Sequence, residues 1–196
     1  MDATILLIRH ARHADYGNRL SGRSDTILTA LGLREAELLG ERLAGRGVAA
    51  VQSSPRRRAG ETASAIARHA RVAVETVDAL DEIDFGGWSE KSFLALEQDP
   101  GWRAWNTVRG SARPPGGESQ REATARAVAH IEAQAASGGE TIAMVTHCDI
   151  IRGVVCHYLG LPFDNLLRFD IDAASVSSLC VGTWGARVTG MNDKGD

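Results

Sequence analysis

Short apolar runs alternate along the chain with stretches in which apolar residues recur at helical spacing. Residues 4–8 (TILLI) form a continuous apolar run of strand length, with no polar alternation, which predicts a strand buried on both faces. Thr29 can cap a helix running to about Ala44, in which Leu33, Ala36, Gly40 and Leu43 share one face, and Gly47 suits its exit. Residues 48–51 predict a second strand. A helix follows over 57–70 with Ala59, Ala63, Ile66 and Ala70 inward, then a third strand over 72–77. Residues 83–115 hold Trp88, Trp102 and Trp105 and predict short helices. Ser119 with Glu122 forms a capping box, and Thr124, Val128, Ile131 and Ala135 give the next helix its buried stripe. Residues 141–145 predict a fourth strand. An apolar helix over 150–159 is closed by Gly160 and Pro162. Residues 168–171 and 176–181 are the last strand candidates.

Strand and helix in alternation imply a mostly parallel sheet with helices on both faces, a three-layer α/β/α sandwich. The 196 residues suffice for one sizeable core, so we expect a single domain over 1–190. Within it, residues 84–117 read as an insertion or lid over the edge or active end of the sheet, and 191–196 as a flexible tail. A net charge of -3 argues against a nucleic-acid binder that relies on a broad basic surface. No apolar stretch approaches the roughly 18 residues of a membrane span, and no secretory signal is visible. Three cysteines give no disulfide framework, so a cytoplasmic location is expected.

In open α/β sheets, ligands bind beyond the carboxyl ends of the strands. Arg9 and His10 follow the first strand there, and Thr146 and His147 follow the fourth. Ser53, Ser54 and Pro55 follow the second strand and lead into Arg56, Arg57 and Arg58; Glu82 follows the third, close to Gly86 and Gly87. One pocket would then hold two imidazoles, several guanidiniums and a carboxylate. That set suits phosphoryl transfer. Guanidinium forks match phosphate oxygens, an imidazole can take the phosphoryl group covalently, and a carboxylic acid can protonate the leaving oxygen.

Arg9-His10-Ala11 resembles the Arg-His-Gly signature of the histidine phosphatase superfamily, the phosphoglycerate-mutase-like proteins. Residues 54–63 (SPRRRAGETA), 80–88 (LDEIDFGGW), 115–119 (PGGES) and 145–147 (VTH) are similar to its later blocks, in the same order. The pattern resembles small phosphatases of the branch 1 type, such as α-ribazole phosphatase. The resemblance implies that His10 is a transiently phosphorylated nucleophile and Glu82 the general acid. It places Arg9, Arg58 and His147 around the phosphate. Ser21 and Gly22, within residues 18–23 (NRLSGR), match the substrate-contacting loop, and Cys148 and Asp149 occupy positions where relatives contact substrate. Two departures are Ala11 and Cys148, both glycine in most relatives.

Other readings compete. A phosphoglycerate mutase would use the same pocket, but only 64 residues separate Glu82 from His147, short for an insertion that must exclude water. A non-catalytic phosphate-binding module would not need His10, Arg58, Glu82 and His147 together. Zinc could use His10, His147, Cys148 or the Cys156-His157 pair, but the spacing is wrong and the arginines would repel a cation. We therefore expect no metal and no cofactor, and a small phosphorylated metabolite as partner; the oligomeric state is not legible. Asp81, Asp84 and Glu90 are alternative acids. Arg56 and Arg57 read as surface residues, His13, His69, His130 and His157 as ordinary, and the tryptophans as core and lid packing.

Overall fold

The computed structural model describes residues 2–195. Six strands form one sheet in the order β3-β2-β4-β1-β5-β6. They are β1 (Ala3–Arg9), β2 (Val48–Ser53), β3 (Val74–Thr76), β4 (Thr141–Thr146), β5 (Val176–Gly182) and β6 (Gly185–Asp193). The first four run parallel, and β5 and β6 add antiparallel beyond β1. The helices are α1 (Ala30–Leu43), α2 (Arg57–Ala70), α3 (Phe93–Leu96), α4 (Pro100–Thr107), α5 (Gln120–Ala136) and α6 (Cys148–Leu159).

The uninterrupted apolar run of β1 follows from its central place. Leu6 and Ile8 point to one face and pack with Leu39 and Leu43 of α1 and Ala59, Ala63 and Ile66 of α2. Ile5 and Leu7 point to the other and pack with Ala127 and Ile131 of α5 and Ile151 and Val155 of α6. Strand side chains alternate faces, so a strand covered on both sides has no polar positions to offer. The three-layer architecture is therefore as the pattern predicts. The caps are in place as well: Thr29 Oγ1 accepts from the Gly32 amide at 3.0 Å, and Ser119 and Glu122 close a reciprocal capping box.

Several expectations need correction. Leu33 is 54% exposed; the buried face of α1 uses Gly32 and Leu39 beside Ala36, Gly40 and Leu43. Residues 168–171 are not a strand. A 3-10 helix spans Phe163–Arg168, and the segment after it brings the Ile171 carbonyl to the sheet's active end. The flexible tail expected over 191–196 is largely absent, since Met191 to Asp193 continue β6, where Asp193 pairs with Val176. Residue 196 lies outside the described residues. Strand β6 itself escaped the reading of the sequence. It is an edge strand, half-exposed along its length, and β5 supplies its pairing.

Residues 84–117 leave and rejoin the domain through a stitched neck. The Gly87 amide donates to the Pro115 carbonyl at 2.8 Å, and the Glu118 amide donates to the Asp84 carbonyl at 2.8 Å. Gly86 has φ +49°, and a Cβ there would lie 2.2 Å from the Pro115 oxygen, so only glycine lets the two strands of the neck approach. Beyond the neck, Phe85, Trp88 and Trp105 are buried in edge-to-face contact, with centroids 6.0 Å and 6.2 Å apart around Trp105. Among the described residues no helix is long and apolar enough to cross a membrane.

Candidate active site

Adjacent parallel strands deliver the two histidines together. Arg9 pairs with Thr146 in the β1–β4 register, so His10 and His147 each emerge one residue later at the same sheet edge. Their ring centroids are 5.1 Å apart, and both are almost fully buried. From the next strand, β2, the chain turns through Ser54 into α2, whose first turn places Arg58 between the rings. Arg58 Nε donates to His10 Nε2 at 3.2 Å, and Nη2 donates to His147 Nδ1 at 3.1 Å. The same guanidinium donates to the Gly22 carbonyl at 2.6 Å and the Ser24 carbonyl at 2.9 Å. These four contacts fix its plane at the cleft floor.

The hydrogen bonds imply the tautomers. His10 Nδ1 donates to the Ala11 carbonyl at 2.9 Å, which leaves Nε2 unprotonated as the acceptor of the Arg58 hydrogen bond. His147 accepts at Nδ1 from Arg58, so its Nε2 donates to Ser54 Oγ at 2.7 Å. Ser54 Oγ in turn donates to Asp81 at 3.3 Å. Burial first, then the positive charge of Arg58, pushes both imidazoles well below the usual histidine pKa, so both are neutral at pH 7. Ala11 sits outside the left-handed region of backbone space; its buried amide donates to Thr62 Oγ1 at 3.1 Å. An alanine therefore fits where relatives carry glycine.

Glu82 lies 9% exposed on the same cleft, with Oε1 accepting from the Ile83 amide. Burial, reinforced by the negative charge of Asp149, raises its pKa to about 8 against the pull of Arg58. The shift favours the protonated carboxyl. Its rivals are committed elsewhere. Asp81 lies 3.0 Å from Arg56 Nε and 3.4 Å from Arg23 Nε, and Asp84 accepts from the Gly86 amide. Glu90 does not line the cleft.

Arg9 completes the floor, its Nη1 donating to the Ile171 carbonyl at 2.6 Å and its guanidinium lying 5.0 Å from the Tyr16 ring centre. Ser21 and Gly22 line the cleft, with Ser21 Oγ donating to Asp15 at 3.4 Å. Cys148 also lines it; burial pushes its thiol up to about 11, so it is no thiolate. The cleft encloses about 240 Å³, and Phe93, Trp102 and Asn106 from residues 84–117 also line it.

The structure departs from the sequence reading at four side chains. Arg56 is half-buried against Asp81 and donates to the Arg23 carbonyl at 2.6 Å, whereas Arg57 is exposed as expected. His13 is not ordinary. It lines the cleft 7% exposed, 5.1 Å from the His10 ring, and burial lowers its pKa to about 4. Arg109 and Asp149 form a buried ion pair at 3.0 Å beside the cleft. Arg109 had no signal in the sequence, because a lone arginine inside a tryptophan-rich stretch looks like a solvated charge. Among the described residues, the one grouping of three metal-ligand types is Glu37, Glu41 and His69, outside the cleft on α1 and α2.

Comparison with known proteins bears on this geometry. The chain is 35% identical over 183 residues to "Bifunctional protein Rv2228c" of Mycobacterium tuberculosis, covering 88% of this chain and 49% of that protein. It thus spans about half the length of that relative. It is 31% identical over 178 residues to "Probable phosphoglycerate mutase GpmB" of Proteus mirabilis, covering 88% of this chain and 82% of that one. The native structure of a mycobacterial glucosyl-3-phosphoglycerate phosphatase superposes with a TM-score of 0.87 at 26% identity, covering 98% of this chain and 100% of that one. The family model of the histidine phosphatase superfamily (branch 1) matches residues 5–194, and the chain belongs to that family.

Proposed function

We propose that the protein is a phosphatase that hydrolyses a small phosphomonoester through a phosphohistidine at His10, without a metal or other cofactor. One observation carries the reading: a neutral, buried imidazole lines the cleft with its unprotonated Nε2 paired to a fixed guanidinium, a contact that an incoming phosphoryl group would exchange for its own. Arg9, Arg58 and His147 would hold the phosphoryl oxygens, with Ser21, Gly22 and Cys148 on the substrate side. In the first step His10 Nε2 forms a bond to phosphorus as the ester oxygen leaves, and the Glu82 carboxyl gives that oxygen its proton. In the second, water attacks phosphorus and the P–N bond breaks. The Glu82 carboxylate takes the proton of water, and phosphate departs. Cationic donors at the floor hold the charge spread over the equatorial oxygens in both transition states.

A mutase would run the first step and return the phosphoryl group to a second hydroxyl. The insertion here is short, and the phosphatase reading takes precedence because water must reach the phosphohistidine. Residues 84–117 act as a lid in this reading, and the cytoplasm is the expected compartment. Rapid quenching with labelled substrate should trap an acid-labile, base-stable phosphoenzyme, and His10→Ala should abolish it. Full turnover by His10→Ala would overturn the assignment.

A further inference from the structure

Arg109 is the most fully engaged charged side chain of the insertion. It follows α4 and is only 4% exposed. Its Nε donates to the Trp105 carbonyl at 3.0 Å, Nη2 to Asn106 Oδ1 at 3.2 Å, and Nη1 to Asp149 Oδ2 at 3.0 Å and Gln120 Oε1 at 3.3 Å. The guanidinium also lies 4.2 Å from the Trp105 ring centre. Gln120, fully buried at the start of α5, donates from Nε2 to the Asp149 backbone carbonyl at 2.9 Å. Residues 84–117, α5 and the first turn of α6 thus meet around the half-buried Asp149, two residues after His147.

A buried charge pair of this kind is a poor stabiliser, because desolvation of both ions offsets most of their attraction. Its presence beside the cleft asks for another explanation. Asp149 and Glu82 line the same cleft. The groups facing Glu82 are Asp81 on its own segment, Arg58 from α2, Arg23 and Arg126 at its backbone carbonyl, neutral His147 after β4, and Asp149 from α6. The arginines all favour an ionised Glu82. Asp149 opposes them from α6, where Arg109 and Arg152 hold its own carboxyl below the usual range although burial alone would raise it.

We propose that the Arg109–Asp149 pair is a positioning device for the reaction: it docks the insertion on the first turn of α6 and fixes a negative charge on the cleft wall that keeps the Glu82 proton available to the leaving group. Arg109 and Asp149 act here through Glu82. The inference rests on the phosphatase reading, in which Glu82 is the acid.

The test is the pH dependence of kcat/KM for an alkyl phosphate, measured with the full chain. Asp149→Asn keeps the shape and an acceptor oxygen for Arg109. Its basic limb should move down by about one pH unit, the size expected for a unit charge several ångströms away in a partly shielded site. Arg152→Gln leaves Asp149 less neutralised, since Arg152 Nη1 lies 3.8 Å from Asp149 Oδ1. Its limb should move up. With p-nitrophenyl phosphate, whose leaving group needs no proton, neither variant should shift a basic limb. Opposite shifts distinguish this role from general damage, which would lower rates without moving either limb. If Asp149→Asn does not fold, Arg152→Gln alone decides. An unmoved or downward limb in Arg152→Gln, or an unmoved limb in folded Asp149→Asn, overturns the inference. Absence of a phosphohistidine in the unmodified protein would instead overturn the underlying function.

Discussion

The floor and the roof of the cleft are built in different ways. Most of the floor is anchored to backbone, with His147 held instead by the Arg58 and Ser54 side chains. His10 is tied to Ala11, Arg9 to Ile171, and Arg58 to Gly22 and Ser24. The roof, formed by residues 84–117, is stitched by backbone bonds at its neck and along residues 90–93, and beyond them rests on side chains: an aromatic cluster around Trp88 and Trp105, and the Arg109–Asp149 pair. Backbone anchors make a rigid floor whose geometry hardly depends on what the cleft holds. Side-chain anchors make a roof that can be re-shaped by a few substitutions. Under the proposed function, the floor handles the phosphoryl group common to all substrates and the roof meets the part that differs.

The largest expected effect that sharpens this contrast is at the acid. Glu82→Gln should slow hydrolysis of esters with poor leaving groups by about 10²- to 10⁴-fold and leave p-nitrophenyl phosphate much less affected. The basic limb near pH 8 should vanish with it. Equal losses on both substrates with an unchanged pH profile would make Glu82 a positioning group. Next, Arg58→Ala should cost about 3 kcal/mol in the transition state, or roughly a hundredfold in kcat/KM. Exposed Arg57→Ala should cost nothing measurable. Steady-state rates of the two variants, side by side, would expose a wrong register if Arg57 proved the sensitive one.

A third expectation concerns stability. The pKa of Glu82 is raised in the folded protein, so its contribution is fully present below about 4.5 and lost as pH rises to about 8. His10 and His147 have lowered values, so theirs is present above about 6.5 and lost as pH falls. Between pH 6.5 and 8 only the Glu82 effect remains among these three. Chemical denaturation should therefore show stability falling by at most about 2 kcal/mol over that interval, and Glu82→Gln should flatten the slope. A flat profile in the unmodified protein would mean that Glu82 is already ionised. The smallest effect is at the roof. Trp102 lines the cleft and rests edge-on against Trp88 at 5.5 Å. Trp102→Ala should change KM several-fold, about 1 kcal/mol, to different extents for different substrates, while inhibition by inorganic phosphate stays as it was. A parallel loss of phosphate inhibition would break the division between floor and roof.

The same division governs what could be read from the chain. Buried parallel strands need continuous apolar runs, and the residues after them fall at one edge by topology alone. His10, His147 and Arg58 were therefore legible with their neighbours. Glu82 was legible only as one of several acids; burial and partners separate it from Asp81 and Asp84. Arg109 and His13 were not legible, because their burial comes from packing between segments distant in sequence. The half-exposed edge strand β6 was missed for a related reason: its place is set by β5, and its own pattern is diluted by Gly185, Gly190, Asn192 and Asp193. Glu118 had a motif but no assigned task. In the structure it faces Arg126 at 2.9 Å and Arg23 at 3.2 Å, so that part of the motif maintains the neck.

The neck also bears on how such a protein can be altered. Because Asp84 and Glu118 are hydrogen-bonded to each other, the path between them is a closed excursion, docked on the rest of the domain through Phe93, Arg109 and Gly110. Doubling a flexible excursion of this kind adds only about 0.6 kcal/mol of closure entropy. The stretch is bounded by Gly86 on one side and Gly117 on the other. Transplants that keep those boundaries, the Asp84–Glu118 bond and Arg109 should alter substrate selectivity while leaving the His10 geometry in place.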